Sequence, residues 1–309
     1  MIYSETLRIG LVNIMPVEAM HATTQRFLKL LNASQNGINV SVKLYTDQQT
    51  SPKDEKDSPY IYDTLDSLFA DTMDGIIVTG TNPQAVQISE EPRWPAITSL
   101  VEWAGENCQS AIWSCFSAHA AAFHLDGVLR ERLPHKYSGV YNCVKRVDHP
   151  ILSSLDNHWK IPHSRYNTIS KNALAEAGYS ILSVTTDHEP DIFTKRFGRS
   201  EFLFFHGHPE YGPEVLLAEY RRDLKRFLTE KALSYPSLPE QYFAPNTIAA
   251  LETLKSNSER ESQVDLLATF DRIAKPSNAY SWTATADSIY ADWLRHLARE
   301  KFTAAVLAA

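Results

Sequence analysis

Cys115 lies in the segment WSCFSAHAAA (residues 113–122), where an apolar run of strand character, SAIWS (110–114), passes directly into a run of small residues. A strand that turns sharply into a helix lifts the residue at the turn above the carboxyl edge of a sheet. The helix N-terminus behind it stabilises a thiolate and a developing oxyanion. Ala118, Ala120, Ala121 and Ala122 let such a helix lie close to the sheet. The same segment also fits a buried strand-end cysteine, because unpaired cysteine is among the most buried residue types. A second segment, FLFFHGHPEYGP (202–213), carries an apolar strand that ends in His206-Gly207-His208-Pro209-Glu210. A thiol nucleophile needs a base within reach and a group that orients the base. His208 as base and Glu210 as its partner complete a Cys-His-Glu triad. As a zinc site, His206-Gly207-His208 has too few ligands and no matching Cys or His cluster, so no metal is assigned.

The elements that must carry these residues alternate in the first half of the chain. Strands are predicted over 7–14, 40–45, 75–79 and 110–114, and helices over 23–31, 61–69, 94–106 and 118–125. Strand–helix alternation predicts an α/β fold: an open, mostly parallel flavodoxin-like sheet with helices on both faces, whose strand carboxyl ends line the ligand crevice. Further on, 181–184, 192–197 and 201–205 read as strands of a meander, and Pro213 as the first turn of a helix running to about residue 228. The charged, proline-bearing stretch 51–59 reads as a surface loop. Residues 234–245, with Pro236, Pro239 and Pro245, read as a linker, followed by helical pattern at 247–255 and 284–300. The expected organisation is one domain over 1–233, with 234–309 as linker and C-terminal helical extension packed on it.

Composition narrows the partners. Thirty Lys and Arg against 37 Asp and Glu leave a net charge of −7 over 309 residues, so the phosphate attraction that dominates nucleic-acid binding has no global support. Glu5 and Arg8 interrupt what would be a signal core, and no run of 18 apolar residues occurs. A cytoplasmic protein acting on small molecules, with neither nucleic acid nor membrane as partner, is expected. Cys108, Cys115 and Cys143 are too few and too unevenly spaced for a disulfide framework, so each is expected as a free thiol.

LVNIMP, TQRFLKLL, IIVTG followed by EPRW, the Cys115 turn, KYSGVY, IPHSRY, GHPEY followed by EYRRD, and SWTATADSIYADWL together resemble the homoserine O-acyltransferases of the homoserine transsuccinylase type. The match is collinear over most of 7–300. GHPEY alone is less specific, since class I glutamine amidotransferases share the fold and a similar triad. The resemblance implies a class I glutamine amidotransferase-like fold and transfer of a succinyl or acetyl group from acyl-CoA to the hydroxyl of L-homoserine, on the way to methionine. It implies that Cys115 carries the acyl group as a thioester, that His208 is the proton acceptor and that Glu210 supports it. It further implies that Lys136, Ser164 and Arg222 bind substrate, with Arg222 gripping a carboxylate. By residue type alone, Lys136 and Ser164 read as surface-loop residues and Arg222 as part of a solvated helix face. No bound cofactor is implied; acyl-CoA is a co-substrate, and a homodimer is expected. An oxyanion hole is expected from the N–H of Phe116 and from the loop at Thr81.

The chain departs from the pattern in three places. Four residues past Gly80 the family carries glycine with succinyl donors and glutamate with acetyl donors; here Gln84 has the bulk of glutamate without its charge. His119 stands where glutamine is usual, and reads either as a group near the thiol or as a partly buried helix histidine. Strand one begins almost at once, whereas many relatives have a longer N-terminal arm. Serine as acceptor stays open, because one methylene is worth only about 1–3 kcal/mol of discrimination. A glutaminase-type amidotransferase would need a synthetase partner, and no phosphate-binding loop occurs here. A binding protein without chemistry is the non-enzyme alternative, against which the joint presence of Cys115, His208 and Glu210 argues.

Overall fold

A computed structural model describes residues 6–48, 59–258, 262–277 and 281–307; of the expected 51–59 loop, 51–58 lie outside the described residues. β1 (Leu7–Val12) leads through α1 (Val17–Ala33) to β2 (Val40–Thr46), and β3 (Asp63–Thr64) into α2 (Leu65–Ala70). β4 (Gly75–Val78), α3 (Trp94–Asn107), β5 (Ser110–Ser114) and α4 (Phe116–Asp126) complete the first half. β6 (Arg130–Lys145), β7 (His158–Ile169), α5 (Lys171–Glu176), β8 (Ser180–Thr185), β9 (Pro190–Phe197) and β10 (Ser200–Phe205) follow. The chain then runs through α6 (Val215–Leu228), α7 (Pro245–Ser256), α8 (Gln263–Ile273) and α9 (Thr283–Leu307).

Ten strands form one sheet in the order β3-β2-β1-β4-β5-β10-β9-β8-β6-β7. The stretch from β3 to β10 is parallel, and β9, β8, β6 and β7 extend it antiparallel. Alternating side chains serve the two faces, as a pleated strand requires. Ile76, Val78, Ala111, Trp113, Phe202 and Phe204 pack towards α3 and α4. Ile77, Ile112, Leu203 and Phe205 join Phe27 and Leu31 of α1 and Ile289, Trp293 and Leu297 of α9 on the other face. Each such fully buried large side chain contributes about 1.5–3 kcal/mol of hydrophobic stabilisation.

α9 lies on the sheet, where the Trp293 indole N–H donates to Ser110 Oγ at 3.1 Å. α7 and α8 pack on α6 through Leu216, Tyr220, Leu224, Leu251, Leu266 and Phe270. The segment between α6 and α7 touches β6 at Gly139. Val140 N–H donates to the Glu240 carbonyl at 2.9 Å and Glu240 N–H to the Ser138 carbonyl at 2.8 Å. A Cβ at Gly139, whose φ is 150°, would lie 2.5 Å from the Glu240 backbone, so this approach requires glycine.

Two expectations are corrected. The helix expected over 61–69 starts only at Leu65, because Asp63 and Thr64 pair with Tyr45 and Thr46 and Thr64 then caps the helix through the Ser67 N–H. Lys136 and Ser164 are strand residues rather than loop residues: KYSGVY and PHSRY lie on β6 and β7, with Ser138 paired to Ser164. Among the described residues no helix is long and apolar enough to cross a membrane.

Candidate active site

Cys115 stands between β5 and α4 with φ 50° and ψ −109°, a conformation that costs a non-glycine residue of order 1–3 kcal/mol and persists only where its surroundings enforce it. Ser117 helps enforce it: its hydroxyl donates to the carbonyls of Val78 and Ser114, both at 3.0 Å, and so ties the first turn of α4 to the ends of β4 and β5. In front of the turn lies Gly80. A Cβ there would stand 3.3 Å from the Cys115 Cβ and 3.6 Å from the Phe116 nitrogen, so glycine keeps the space beside the thiol open. Phe116 opens α4, where the first N–H groups have no intrahelical acceptor.

His208 follows β10, the parallel neighbour of β5. Its backbone N–H donates to the Pro162 carbonyl at 2.8 Å. Its Nδ1 is 2.8 Å from Glu210 Oε1, and its ring stacks on Tyr211 with centroids 4.2 Å apart. Burial alone would drive the imidazole pKa down; the charges of Glu210 and Cys115 outweigh it and hold it well above the ordinary value. Nε2 is buried without a hydrogen-bond partner among the described residues. The three triad residues thus meet at the carboxyl ends of two adjacent strands. Neighbouring His206 is separate from them, its Nδ1 3.0 Å from the Pro190 carbonyl.

The residues singled out in KYSGVY, PHSRY and EYRRD converge on α6. Lys136 Nζ is 3.1 Å from Glu219 Oε2 and 2.8 Å from Asp223 Oδ2, and the Ser164 hydroxyl donates to Glu219. Tyr211 donates to the other Glu219 oxygen at 2.9 Å, linking this cluster to the ring of His208. Burial opposes the charge on Lys136, and the two carboxylates more than restore it, so its pKa is raised. Burial likewise disfavours the Glu219 carboxylate, yet Lys136 and Ser164 leave its pKa below the ordinary value. Arg222 is half-exposed and directs Nε and a terminal nitrogen at Asp223 Oδ1, each at 2.9 Å.

Glu219, Asp223 and Tyr211 are not singled out by the sequence reading. Its usable signal was the pair of carboxylates four residues apart, hence on one helix face, within EYRRD.

Gln84 has an exposed side chain, and the loop that carries it is anchored from below. The Gln84 N–H donates to Glu91 Oε2 at 2.9 Å and the Ala85 N–H to Oε1 at 3.1 Å. Arg130 pairs with the same carboxylate at 3.3 Å and donates to the Ala85 carbonyl at 2.7 Å. Its guanidinium lies over the Phe116 ring, 5.7 Å from the centroid, so the Gln84 loop and the start of α4 share one support. Thr81 lies on this loop, directly after Gly80. His119 is a buried helix histidine against the ring of His206, with centroids 4.7 Å apart. Burial, then Arg165 and Arg130, push its pKa down to about 3.

The mixed, mostly parallel sheet with its flanking helices has the class I glutamine amidotransferase-like fold. A glutamine amidotransferase from Methylobacillus flagellatus superposes with a TM-score of 0.52, covering 94% of this chain and 95% of that one, at 13% identity.

Within that class the sequence is more specific. A family model described as homoserine O-succinyltransferase matches residues 3–303. The homoserine O-succinyltransferase of Rhodopseudomonas palustris is 38% identical over 96% of this chain and 90% of its own length, and that of Bradyrhizobium japonicum is 35% identical over 94% and 90%. The chain belongs to the homoserine O-succinyltransferase family.

Proposed function

We infer that the protein transfers a succinyl group from succinyl-CoA to the hydroxyl of L-homoserine, in two half-reactions through a thioester on Cys115. The observation that carries this reading is Cys115, held at a strained strand–helix turn beside a histidine that is buried against Glu210. Family membership supports homoserine as acceptor and a succinyl group as the one transferred; CoA as its carrier is part of the proposal.

In the first half-reaction His208 takes the Cys115 thiol proton as the sulfur attacks the acyl carbon of succinyl-CoA. The tetrahedral oxygen is stabilised by the Phe116 N–H and, from the other side, by the backbone at Thr81. CoA leaves as its thiol with the proton from His208. Exchange of one thioester for another is close to balanced in energy, so the step divides a hard reaction into two easier ones.

Acylation also takes the Cys115 sulfur out of proton exchange with His208. The contributions of Cys115 to the raised His208 pKa then disappear and those of Glu210 remain, so more of the ring is neutral and Nε2 is free to take the incoming hydroxyl proton. Homoserine oxygen attacks the thioester, His208 takes its proton, and the ester leaves as Cys115 is restored. Arg222 binds the amino-acid carboxylate as a two-pronged donor, while Lys136 and Ser164 complete the acceptor pocket. Gln84 carries no charge to oppose the distal carboxylate of a succinyl group, which supports succinyl over acetyl as donor.

Intact-protein mass spectrometry after brief exposure to succinyl-CoA tests the reading. A succinyl increment mapped to Cys115, discharged by homoserine and absent in Cys115→Ala, is expected. Full turnover by Cys115→Ala overturns the mechanism, and discharge by serine in preference to homoserine overturns the acceptor.

A further inference from the structure

Behind the Gly207–His208 turn lies a second set of side chains with metal-ligating chemistry, assembled from distant parts of the chain: Cys143 on β6, His163 on β7 and Asp191 on β9. One donor atom from each lies within 4.8 Å of the other two, and all three residues are buried. The contacts of Asp191 with Cys143 and His163 are poorly aligned. His163 Nε2 and Asp191 Oδ1 are 3.3 Å apart, yet neither atom, nor His163 Nδ1, has a hydrogen-bond partner among the described residues. Buried polar groups left this way are rare, because each forfeits its hydration without replacement.

The geometry points beyond a misaligned hydrogen bond. Two ligands each about 2.05 Å from a tetrahedral Zn²⁺ stand roughly 3.3 Å apart, the separation found between these two atoms. The surroundings hold both groups in place. Asp191 Oδ2 accepts from the Ser183 hydroxyl at 2.8 Å, which leaves Oδ1 for the His163 side. The His163 ring is fixed edge-on by Tyr137 and Tyr141, with centroids at 5.5 and 5.6 Å. Position 207 accommodates no side chain: a Cβ there would lie 2.7 Å from Asp191 Oδ1 and 3.2 Å from His163 Nε2. Burial lowers the His163 pKa, which favours the neutral ring that a metal ion requires.

We propose that Cys143, His163 and Asp191 bind one borderline divalent transition-metal ion, Zn²⁺ being the type, through a thiolate, an imidazole and a carboxylate, with water as fourth ligand. The sulfur and nitrogen donors exclude Mg²⁺ and Ca²⁺, which take oxygen ligands. On coordination the Cys143 thiol releases its proton to solvent, and no oxidation state changes. The ion ties β6, β7 and β9 together beneath the base, since the Pro162 carbonyl that holds the His208 N–H belongs to the residue preceding His163. Its role is positioning, and it touches no substrate.

The test is metal analysis of the untagged full-length chain purified without chelator from zinc-supplemented culture, alongside Cys143→Ala and Asp191→Asn. Stoichiometric zinc in the wild type and its loss in both variants is expected. Stripping with a strong chelator should lower the wild-type thermal midpoint and added Zn²⁺ should restore it, with neither variant responding. Cobalt loading of the wild type should produce a thiolate-to-cobalt charge-transfer band, which decides the matter even where a variant fails to accumulate. Background zinc in the wild type, or cobalt binding without that band, overturns the proposal and leaves water as the occupant.

Discussion

The Cys115 backbone N–H donates to the Phe205 carbonyl across 2.7 Å, so the turn that raises the thiol is bonded to the strand end that leads into His208. Ser114 and Phe205 are register partners in parallel strands. Cys115, the proposed nucleophile, therefore stands one residue past one strand end and His208, the proposed base, three residues past its neighbour. Their relative position is fixed by the sheet rather than by loop packing, which is how a site comes to be held rigid enough for proton transfer.

The strain at Cys115 has a measurable consequence. Glycine tolerates a φ of 50° and alanine does not. Cys115→Ala and Cys115→Gly should both lack turnover, while Cys115→Gly should be the more stable of the two by about 1 kcal/mol, after allowance for glycine's larger unfolded-state entropy. Parallel thermal unfolding of the two variants measures this. Equal midpoints would mean that the turn stores no strain.

Glu210→Gln removes the negative charge that most raises the His208 pKa. The folded-state pKa of His208 should fall, so the neutral base persists to lower pH. The acid limb of the pH–rate profile for discharge of the acyl-enzyme to homoserine should move to lower pH, while the rate on its plateau drops by about 10²–10⁴-fold because the ring is no longer oriented. Single-turnover kinetics across pH separates the two effects. A drop in rate with an unmoved limb would show that Glu210 orients His208 without setting its charge.

The placing of Cys115, His208 and Glu210 at adjacent strand ends was legible because its signals are local: an apolar strand running into Cys115 and small residues, and another running into His208 and Glu210. β6 and β7 were not. Arg130 to Lys136 is mostly charged or polar, Pro134 falls inside it, and the pairing of β6 with β7 shifts register between Arg132 and Tyr137, so no two-residue alternation survives to be read. Only the motifs KYSGVY and PHSRY marked Lys136 and Ser164, and no local pattern announces that both meet Glu219. The Cys143, His163 and Asp191 set was hidden for the same reason, since its members come from three strands, two of them these.

Glu91 holds the loop bearing Gln84 by accepting two backbone N–H groups and pairing with Arg130. Glu91→Ala leaves a buried guanidinium without its partner and should cost about 3–5 kcal/mol in denaturant unfolding. Gln84→Glu leaves that support intact and acts on chemistry instead. A carboxylate facing a succinyl carboxylate should lower kcat/KM for succinyl-CoA by about tenfold relative to acetyl-CoA. Equal loss with both donors would mean that residue 84 shapes the loop and does not meet the acyl group.

Acid stability should depend on Glu201, which joins β10 to α9. Its Oε1 is 3.1 Å from His149 Nε2 and its Oε2 is 3.3 Å from His296 Nε2. Burial would raise the carboxyl pKa; the two histidines reverse this and bring it from 4.5 to about 2. Because the folded-state value is the lower one, the stabilisation is present above the unfolded value of 4.5 and is lost as pH falls towards about 2. At about 1.4 kcal/mol per pH unit of separation, the carboxylate contributes on the order of 3 kcal/mol at its full extent. Glu201→Gln should therefore be less stable than the wild type at pH 6, and the gap should narrow on acidification below 4.5, where the unfolded wild type takes up a proton that the folded one does not. Urea unfolding of both proteins between pH 6 and pH 3 measures the closing gap. Parallel curves would assign the acid sensitivity of the α9 contact to another group.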